Sequence, residues 1–450
     1  MLINFTVSNF KSIKDEILFN MAPAKRLQTM KEHVLVANTK KKAEGMPVAA
    51  IYGANGSGKT NFIEALAFMK DRINNDDVVA AIPFRLADDD QEKQPSTFSV
   101  LFSFEKVVYA YGFSIEGRIV RQEWLSAYYT AKETMLFERY WEGEGTQIVF
   151  GNRLVSDTKG GKAFLGFIFQ GIQKEQLFLR EAVKRDVSLL EPVEQWFVSH
   201  VFVIRPTSRA MALEVTLQNK PKALQKMNEQ LHEMGMNLEK LETKEKKFNS
   251  DQYANQLDEG DAERFRNALE GLQEGEIIEL SEKSFGRPQY IKKKNDEFYL
   301  ISFEVCHERQ DGKQVNFDIS TASSGFMRML DLLPALDVAQ QEDTLIVVDE
   351  IERSLHTLLS QYFISCFIGI VTESQNGSQL VFSTHDTNLL DSDFLRSDEI
   401  WFMEKDSSSS SRLCNLVEFK QSTGLNYEKG YLEGRFGAIP IFHGNGLRLK

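Results

Sequence analysis

Four short stretches carry residue types that could do chemistry together. Gly53-Ala54-Asn55-Gly56-Ser57-Gly58-Lys59-Thr60 fits G-x-x-x-x-G-K-[ST], the spacing of a phosphate-binding P-loop, and Asn61 follows it. The glycines let backbone N–H groups curl around phosphate, Lys59 reaches the β- and γ-phosphates, and the Thr60 hydroxyl suits Mg²⁺. Asp349-Glu350 ends an apolar run. Paired carboxylates there divide the work: Asp349 holds Mg²⁺ and Glu350 polarises an attacking water. His385-Asp386 ends another apolar run, which makes His385 a candidate to sense the γ-phosphate or orient water. Ser323-Ser324-Gly325 lies in a small-residue turn before an apolar helix, where hydroxyls and N–H groups again face outward. A serine N-cap is the plainer account of that turn.

Behind each stretch stands an element that can position it. Val48-Ala49-Ala50-Ile51-Tyr52 reads as a buried strand entering the P-loop. Asn61 to Met69 has apolar residues at helical spacing, so the loop opens a helix whose positive end faces phosphate. Thr344 to Val348 reads as a strand buried on both faces, and Gln379 to Thr384 as a third apolar run that ends a strand. All three sites then lie at the carboxyl ends of strands, where open α/β sheets bind ligands.

The charge balance bounds the partners. The 450 residues carry a formal net charge of −12, so no global basic footprint for nucleic acid exists, although a local patch stays open. Cys306, Cys366 and Cys414 are scattered without a C-x-x-C pair, which argues against a zinc site or disulfide framework and suits a reducing cytosol. No apolar run approaches membrane-spanning length, so a cytoplasmic protein without membrane contact is expected.

The rest of the chain divides in three. Residues 1–154 form the N-terminal part of the nucleotide-binding head. Leu2 to Val7 and Ile13 to Phe19 read as a hairpin or meander, and runs over 97–104, 107–115 and 119–128 read as an antiparallel sheet. Residues 71–90 turn polar, ending in Asp88-Asp89-Asp90. Residues 155–315 have longer charged runs and helical spacing, which predicts an inserted, mostly helical lid or arm. Within it Leu224, Met227, Leu231, Met234, Leu238 and Leu241 alternate spacings of three and four. The preferred reading is an amphipathic helix packed on its own domain; the other is a short arm or oligomer contact. Lys244 to Lys247 and Lys292 to Lys294 read as solvated faces. Residues 316–450 complete the head, with Ser407 to Ser411 expected as a flexible hairpin tip.

Together these residues resemble the ABC/SMC-type P-loop ATPase head, over residues 1 to about 150 and 316 to 440. Asn9-Phe10-Lys11-Ser12 looks like that family's opening turn, and Ser323-Ser324-Gly325 like its signature, with Phe326 departing from the usual polar residue. Glu352-Arg353-Ser354-Leu355-His356 is similar to the E-x-x-L-H segment of one branch, and Tyr431 to Pro440 resembles the tail of RloA/AbiL-like bacterial phage-defence ATPases. The resemblance implies an α/β head with a mixed sheet, cofactors ATP and Mg²⁺, and Mg-dependent ATP hydrolysis. It implies ATP bound by Gly53, Asn55 to Asn61, Ser323 and Gly325 and sandwiched in a homodimer or higher homo-oligomer, with Lys59 and Thr60 of one copy facing Ser323 and Gly325 of another. Glu350, His385 and Lys59 would be catalytic, Thr60 and Asp349 the metal ligands. The switch would control a nearby effector, a nuclease or toxin, in anti-phage defence. The alternatives are an SMC/RecF-like DNA repair or recombination ATPase, or a scaffold that binds ATP without useful turnover.

Overall fold

The computed structural model describes the whole chain except residues 76–77, 88–93, 143–144, 211, 237, 239, 281–288, 375, 391–393, 420–425 and 440–450. The acidic run 88–90 and Pro440 thus lie outside the described residues. The chain forms two compact units. The first holds 1–206, 335–352 and 363–450; the second holds 207–334 and 353–362. The chain therefore crosses between them after Pro206, Pro334, Glu352 and Tyr362.

A six-stranded sheet positions the chemistry of the first unit. Its order is Val201–Ile204, Leu345–Val348, Gln379–Thr384, Val48–Tyr52, Ile400–Lys405 and Ser411–Asn415. The first five strands run parallel and the last is antiparallel. Every residue of Val48–Tyr52, Leu345–Val348 and Gln379–Thr384 is buried, the polar Gln379, Ser383 and Thr384 among them. The P-loop strand sits directly beside the strand that ends at His385, whose other neighbour ends at Asp349.

A seven-stranded antiparallel sheet makes the second layer, in the order Gly145–Phe150, Thr134–Glu142, Ile119–Tyr128, Val107–Glu116, Ser96–Phe104, Leu2–Ser8, Ile17–Asn20. Its strands fall on the runs read as strands over residues 2–19 and 97–128. The helix Lys59–Asn74 buries Phe62, Ile63, Leu66, Met69 and Ile73, one face at helical spacing, in the same core as Phe5, Phe19 and Phe98.

Residues 155–206, expected in the inserted region, belong to the first unit. Helices Gly161–Gly171, Phe178–Val183 and Glu191–Ser199 sink Leu165, Phe178, Trp196 and Phe197 into its core, and Val201–Ile204 completes the six-stranded sheet. Trp196 stacks on Phe102 with ring centroids 4.0 Å apart.

The second unit is not mostly helical. Its centre is a five-stranded antiparallel sheet: Lys240–Lys247, Glu297–Glu308, Gln289–Lys294 and Ile277–Leu280 in order, with Gln314–Asp318 also on Glu297–Glu308. The heptad-like seam breaks. The helix Pro221–Glu233 buries Met227 and Leu231, then ends at Gly235, whose φ is +70°. Gly235 N–H donates to His232 O and Met236 N–H to Leu231 O, the pair of bonds that closes a helix in a left-handed residue. Leu238 follows that stop and Leu241 lies on a strand. The basic runs are strand residues with acidic partners: Lys244 and Lys246 pair with Glu304, Lys247 with Glu297, and Lys294 with Glu245. Glu304, in consequence, is held down at about 2.

Candidate functional site

The P-loop starts where the strand Val48–Tyr52 ends, and close approach dictates two of its glycines. A Cβ at Gly53 would lie 2.3 Å from Met403 O and 2.6 Å from Ser57 Oγ. Gly58 has φ +112°, and a Cβ there would lie 2.1 Å from Ser411 Oγ. The loop is braced from behind. Ser411 Oγ donates to Ser57 O at 2.7 Å and lies in hydrogen-bond contact with Ser12 Oγ at 2.8 Å, while Ser411 N–H donates to Ser12 O at 2.7 Å. Asn61 Nδ2 donates to Ser12 Oγ at 2.8 Å. The serine run is therefore not a flexible tip at its end: Ser410 and Ser411 are buried and fixed, while Ser407 to Ser409 are exposed.

Lys59 opens the helix with its ammonium turned under the loop. Nζ donates to Gly53 O at 2.7 Å and Ala54 O at 3.3 Å, and stands 3.3 Å from His385 Nδ1. Burial draws its pKa down to about 8, against the pull of Glu352, Asp349 and Glu350. Burial, then the neighbouring Lys59 charge, also lowers His385 below its ordinary value, so the imidazole is held neutral. A 220 Å³ cavity is lined by Asn55 to Asn61, Glu350 and His385.

The carboxylate turn is knitted to the histidine strand. Glu350 N–H donates to Ser383 Oγ at 2.8 Å, and Ser383 Oγ donates to Asp349 Oδ1 at 2.5 Å. Ile351 N–H donates to Ser383 O at 3.1 Å, and His385 N–H to Glu352 Oε1 at 2.6 Å. Glu350 itself takes a left-handed φ of +50°, the sharp turn that carries the chain off the strand.

The structure brings Asn55 to Asn61, Glu350 and His385 together around one cavity, with Asp349 buried next to Glu350 and Gly53 O accepting from Lys59 Nζ. Ser323 and Gly325 lie in the second unit. There Ser323 Oγ accepts the Phe326 N–H at 3.2 Å, which is the N-cap geometry, and Gly325 packs so closely that a Cβ would come 2.8 Å from Ser354 O. Sequence reading assigned no site role to Ser383 or Ser411, and named Glu352 only within the segment Glu352 to His356. Ser383 carried a signal: strand period two sets it on the face of His385.

Mg²⁺ is tested by its donor set. The Asp349 carboxylate is 2 % exposed and fixed by Ser383, and Thr60 is exposed on the first helical turn. A carboxylate and a hydroxyl are the hard oxygen ligands that Mg²⁺ takes alongside phosphate and water, so these residues fit it. No group of three or more His, Cys, Asp or Glu among the described residues could hold a metal. Nor is any described helix long and apolar enough to cross a membrane.

A glycine loop between a buried strand and a helix, with a carboxylate pair ending a strand of the same sheet, defines a P-loop nucleotide-binding fold. The chain belongs to the family described as "AAA domain, putative AbiEii toxin, Type IV TA system", whose model matches residues 48–391. Two solved structures of the recombination mediator protein RecF in the RecFOR pathway are similar, each 14% identical. The RecF-ATPrS structure covers 92% of this chain and 98% of its own, with a TM-score of 0.36. The RecF-ATP structure covers 86% and 94%, with a TM-score of 0.31. No curated protein matches the chain.

Proposed function

We propose that the chain is an ATP-binding and ATP-hydrolysing switch of the RloA/AbiL-like kind, which closes as a dimer on ATP and controls a partner effector in bacterial defence against phage. The observation that carries this reading is the shared cavity of the P-loop, Glu350 and His385, with Lys59 and His385 side by side. The family's description, which speaks of toxin–antitoxin systems, supports the defence setting.

The residues divide the work as follows. N–H groups of Gly56 to Thr60 would surround the β- and γ-phosphates at the helix start. Lys59 would leave the loop carbonyls for phosphate, exchanging neutral acceptors for charged ones. Thr60 and Asp349 would hold Mg²⁺, which when bound neutralises phosphate charge. Glu350 would take the proton from the attacking water, and neutral His385 would donate to the γ-phosphate. Ser323 and Gly325 of a second copy would close the site from the far side. Hydrolysis removes the γ-phosphate that both copies hold, so the pair reopens.

Glu350→Gln tests the reading. The amide keeps the shape but cannot take a proton, so turnover should fall roughly 10²–10⁴-fold while ATP binding persists. The variant should then accumulate as an ATP-dependent dimer in size-exclusion light scattering. Wild-type turnover in the variant would remove Glu350 from the chemistry. A DNA-repair role would instead appear as DNA-stimulated hydrolysis with a steep salt dependence. The ion pairing of Lys244, Lys246, Lys247 and Lys294 speaks against those runs as a DNA track.

A further inference from the structure

Glu352 stands where three neighbouring strand ends meet. It lies in the turn that leaves Leu345–Val348, and its Oε1 accepts the His385 N–H at the end of Gln379–Thr384. The third strand end is that of Val48–Tyr52, leading to Lys59. Among the carboxylates acting on Lys59, Glu352 comes ahead of Asp349 and Glu350. It also helps, after burial and Asp386, to push up the phenol of Tyr52, the residue before the P-loop.

The second carboxylate oxygen sharpens the point. Glu352 Oε2 is buried and has no hydrogen-bond partner among the described residues; Tyr52 Oη is in the same condition. An unsatisfied buried oxygen is destabilising, more so when the group is charged, so a glutamate there calls for a reason. Its neighbours Asp349 and Glu350 have their own places, one on Ser383 and one lining the cavity. Glu352 is absent from the cavity's lining but grips the backbone of the histidine that belongs to it.

We propose that Glu352 is a positioning residue, which fixes the His385 backbone on the carboxylate turn and so holds the imidazole beside Lys59. Reach matters more than charge in this role, because the bond is to a backbone N–H. The consequence for turnover rests on the ATPase reading above; the placement of His385 does not.

Two substitutions separate reach from charge. Glu352→Gln keeps the length and an acceptor oxygen but loses the charge. Glu352→Asp keeps the charge and withdraws the acceptor by one methylene. Both are made in the full chain with labelled histidine, and the His385 ring resonance is assigned among seven histidines with a His385→Gln control. In Glu352→Gln the resonance should keep its wild-type position, with turnover within about threefold of wild type. In Glu352→Asp it should move toward that of a solvent-exposed imidazole, and kcat should fall roughly tenfold or more with KM little changed, the expected cost of a misplaced group. The opposite ranking, Asp like wild type and Gln impaired, would overturn positioning and put the carboxylate's charge into the chemistry. A His385 resonance unchanged in both variants would overturn it as well. A wild-type protein that binds ATP without turnover would sink the hydrolysis reading, yet the resonances would still decide the role of Glu352.

Discussion

Lys59 Nζ and His385 Nδ1 stand 3.3 Å apart, although 326 residues separate them in the chain. The ammonium is held by two loop carbonyls and the imidazole is held neutral by its side. Phosphate would compete with those carbonyls for the same ammonium, so binding and the placement of the histidine share one group.

Replacing Lys59 by Ala should therefore abolish useful ATP affinity. Charge-assisted hydrogen bonds contribute roughly 1.5–3 kcal/mol each, so a loss of at least tenfold to hundredfold in Kd is expected. Calorimetric titration of the folded variant checks this; wild-type affinity would remove Lys59 from the phosphate site.

The pKa of Lys59 gives a pH dependence of definite sign. Free protein holds this lysine at about 8, below its ordinary 10.5, chiefly through burial. Between those values the unfolded chain binds more protons than the native one, so this group's contribution to stability rises with pH from about 8 to 10.5. Bound polyphosphate favours the ammonium and raises the pKa again. ATP affinity should thus be full below about pH 8 and fall as pH rises through that value, with proton uptake on binding near pH 8. Titration calorimetry in buffers of different ionisation enthalpy reads the proton directly, and a flat affinity from pH 7 to 9.5 would contradict it.

Ser411 should matter out of proportion to its distance along the chain from the P-loop. Ser411→Ala removes the hydroxyl that donates to Ser57 O and meets Ser12 Oγ in a buried place. A loss of about 1–3 kcal/mol in stability is expected, together with weaker ATP binding. Denaturant melts with and without ATP separate the two effects. Gly58→Ala should be worse, since its Cβ meets the Ser411 hydroxyl in a left-handed backbone.

The proposed sharing of the site between copies is tested by mixing. Ser323→Arg should leave each copy able to bind ATP through Lys59 while blocking closure. Mixed with Lys59→Ala protein, it should regain part of the ATPase activity, because one composite site then has both halves intact. Mixed dimers that form without any activity would count against a shared site.

The P-loop, the carboxylate pair and His385 were legible because each is a contiguous stretch at the end of an apolar strand. Parallel strands bring such ends together, so local reading sufficed. What stayed hidden was long-range. Nothing local tells Ser12 and Ser411 that their hydroxyls meet, or that Ser411 donates to the Ser57 carbonyl, and a serine-rich run looks solvated whether or not its last residue is buried. Spacing alone likewise carried the seam of Leu224 to Leu241 across Gly235, where left-handed backbone closes the helix. Lys246 and Lys247 are exposed, as a solvated face should be; what spacing could not show is the acidic partners, Glu304 and Glu297, which come from a strand 50 to 60 residues later.

The four crossings between the two units bear on how such a protein can be rebuilt. The second unit is not a cassette. A splice at one junction, or at a single pair, cannot exchange it, because residues 207–334 and 353–362 enter it separately. The shorter passage leaves directly after Glu352, two residues beyond Glu350. Any graft that replaces the whole unit must therefore rejoin the chain at the edge of the carboxylate turn itself. Recombination that shuffles this unit among relatives would carry the carboxylate turn along with it, and the two would be inherited as a single block.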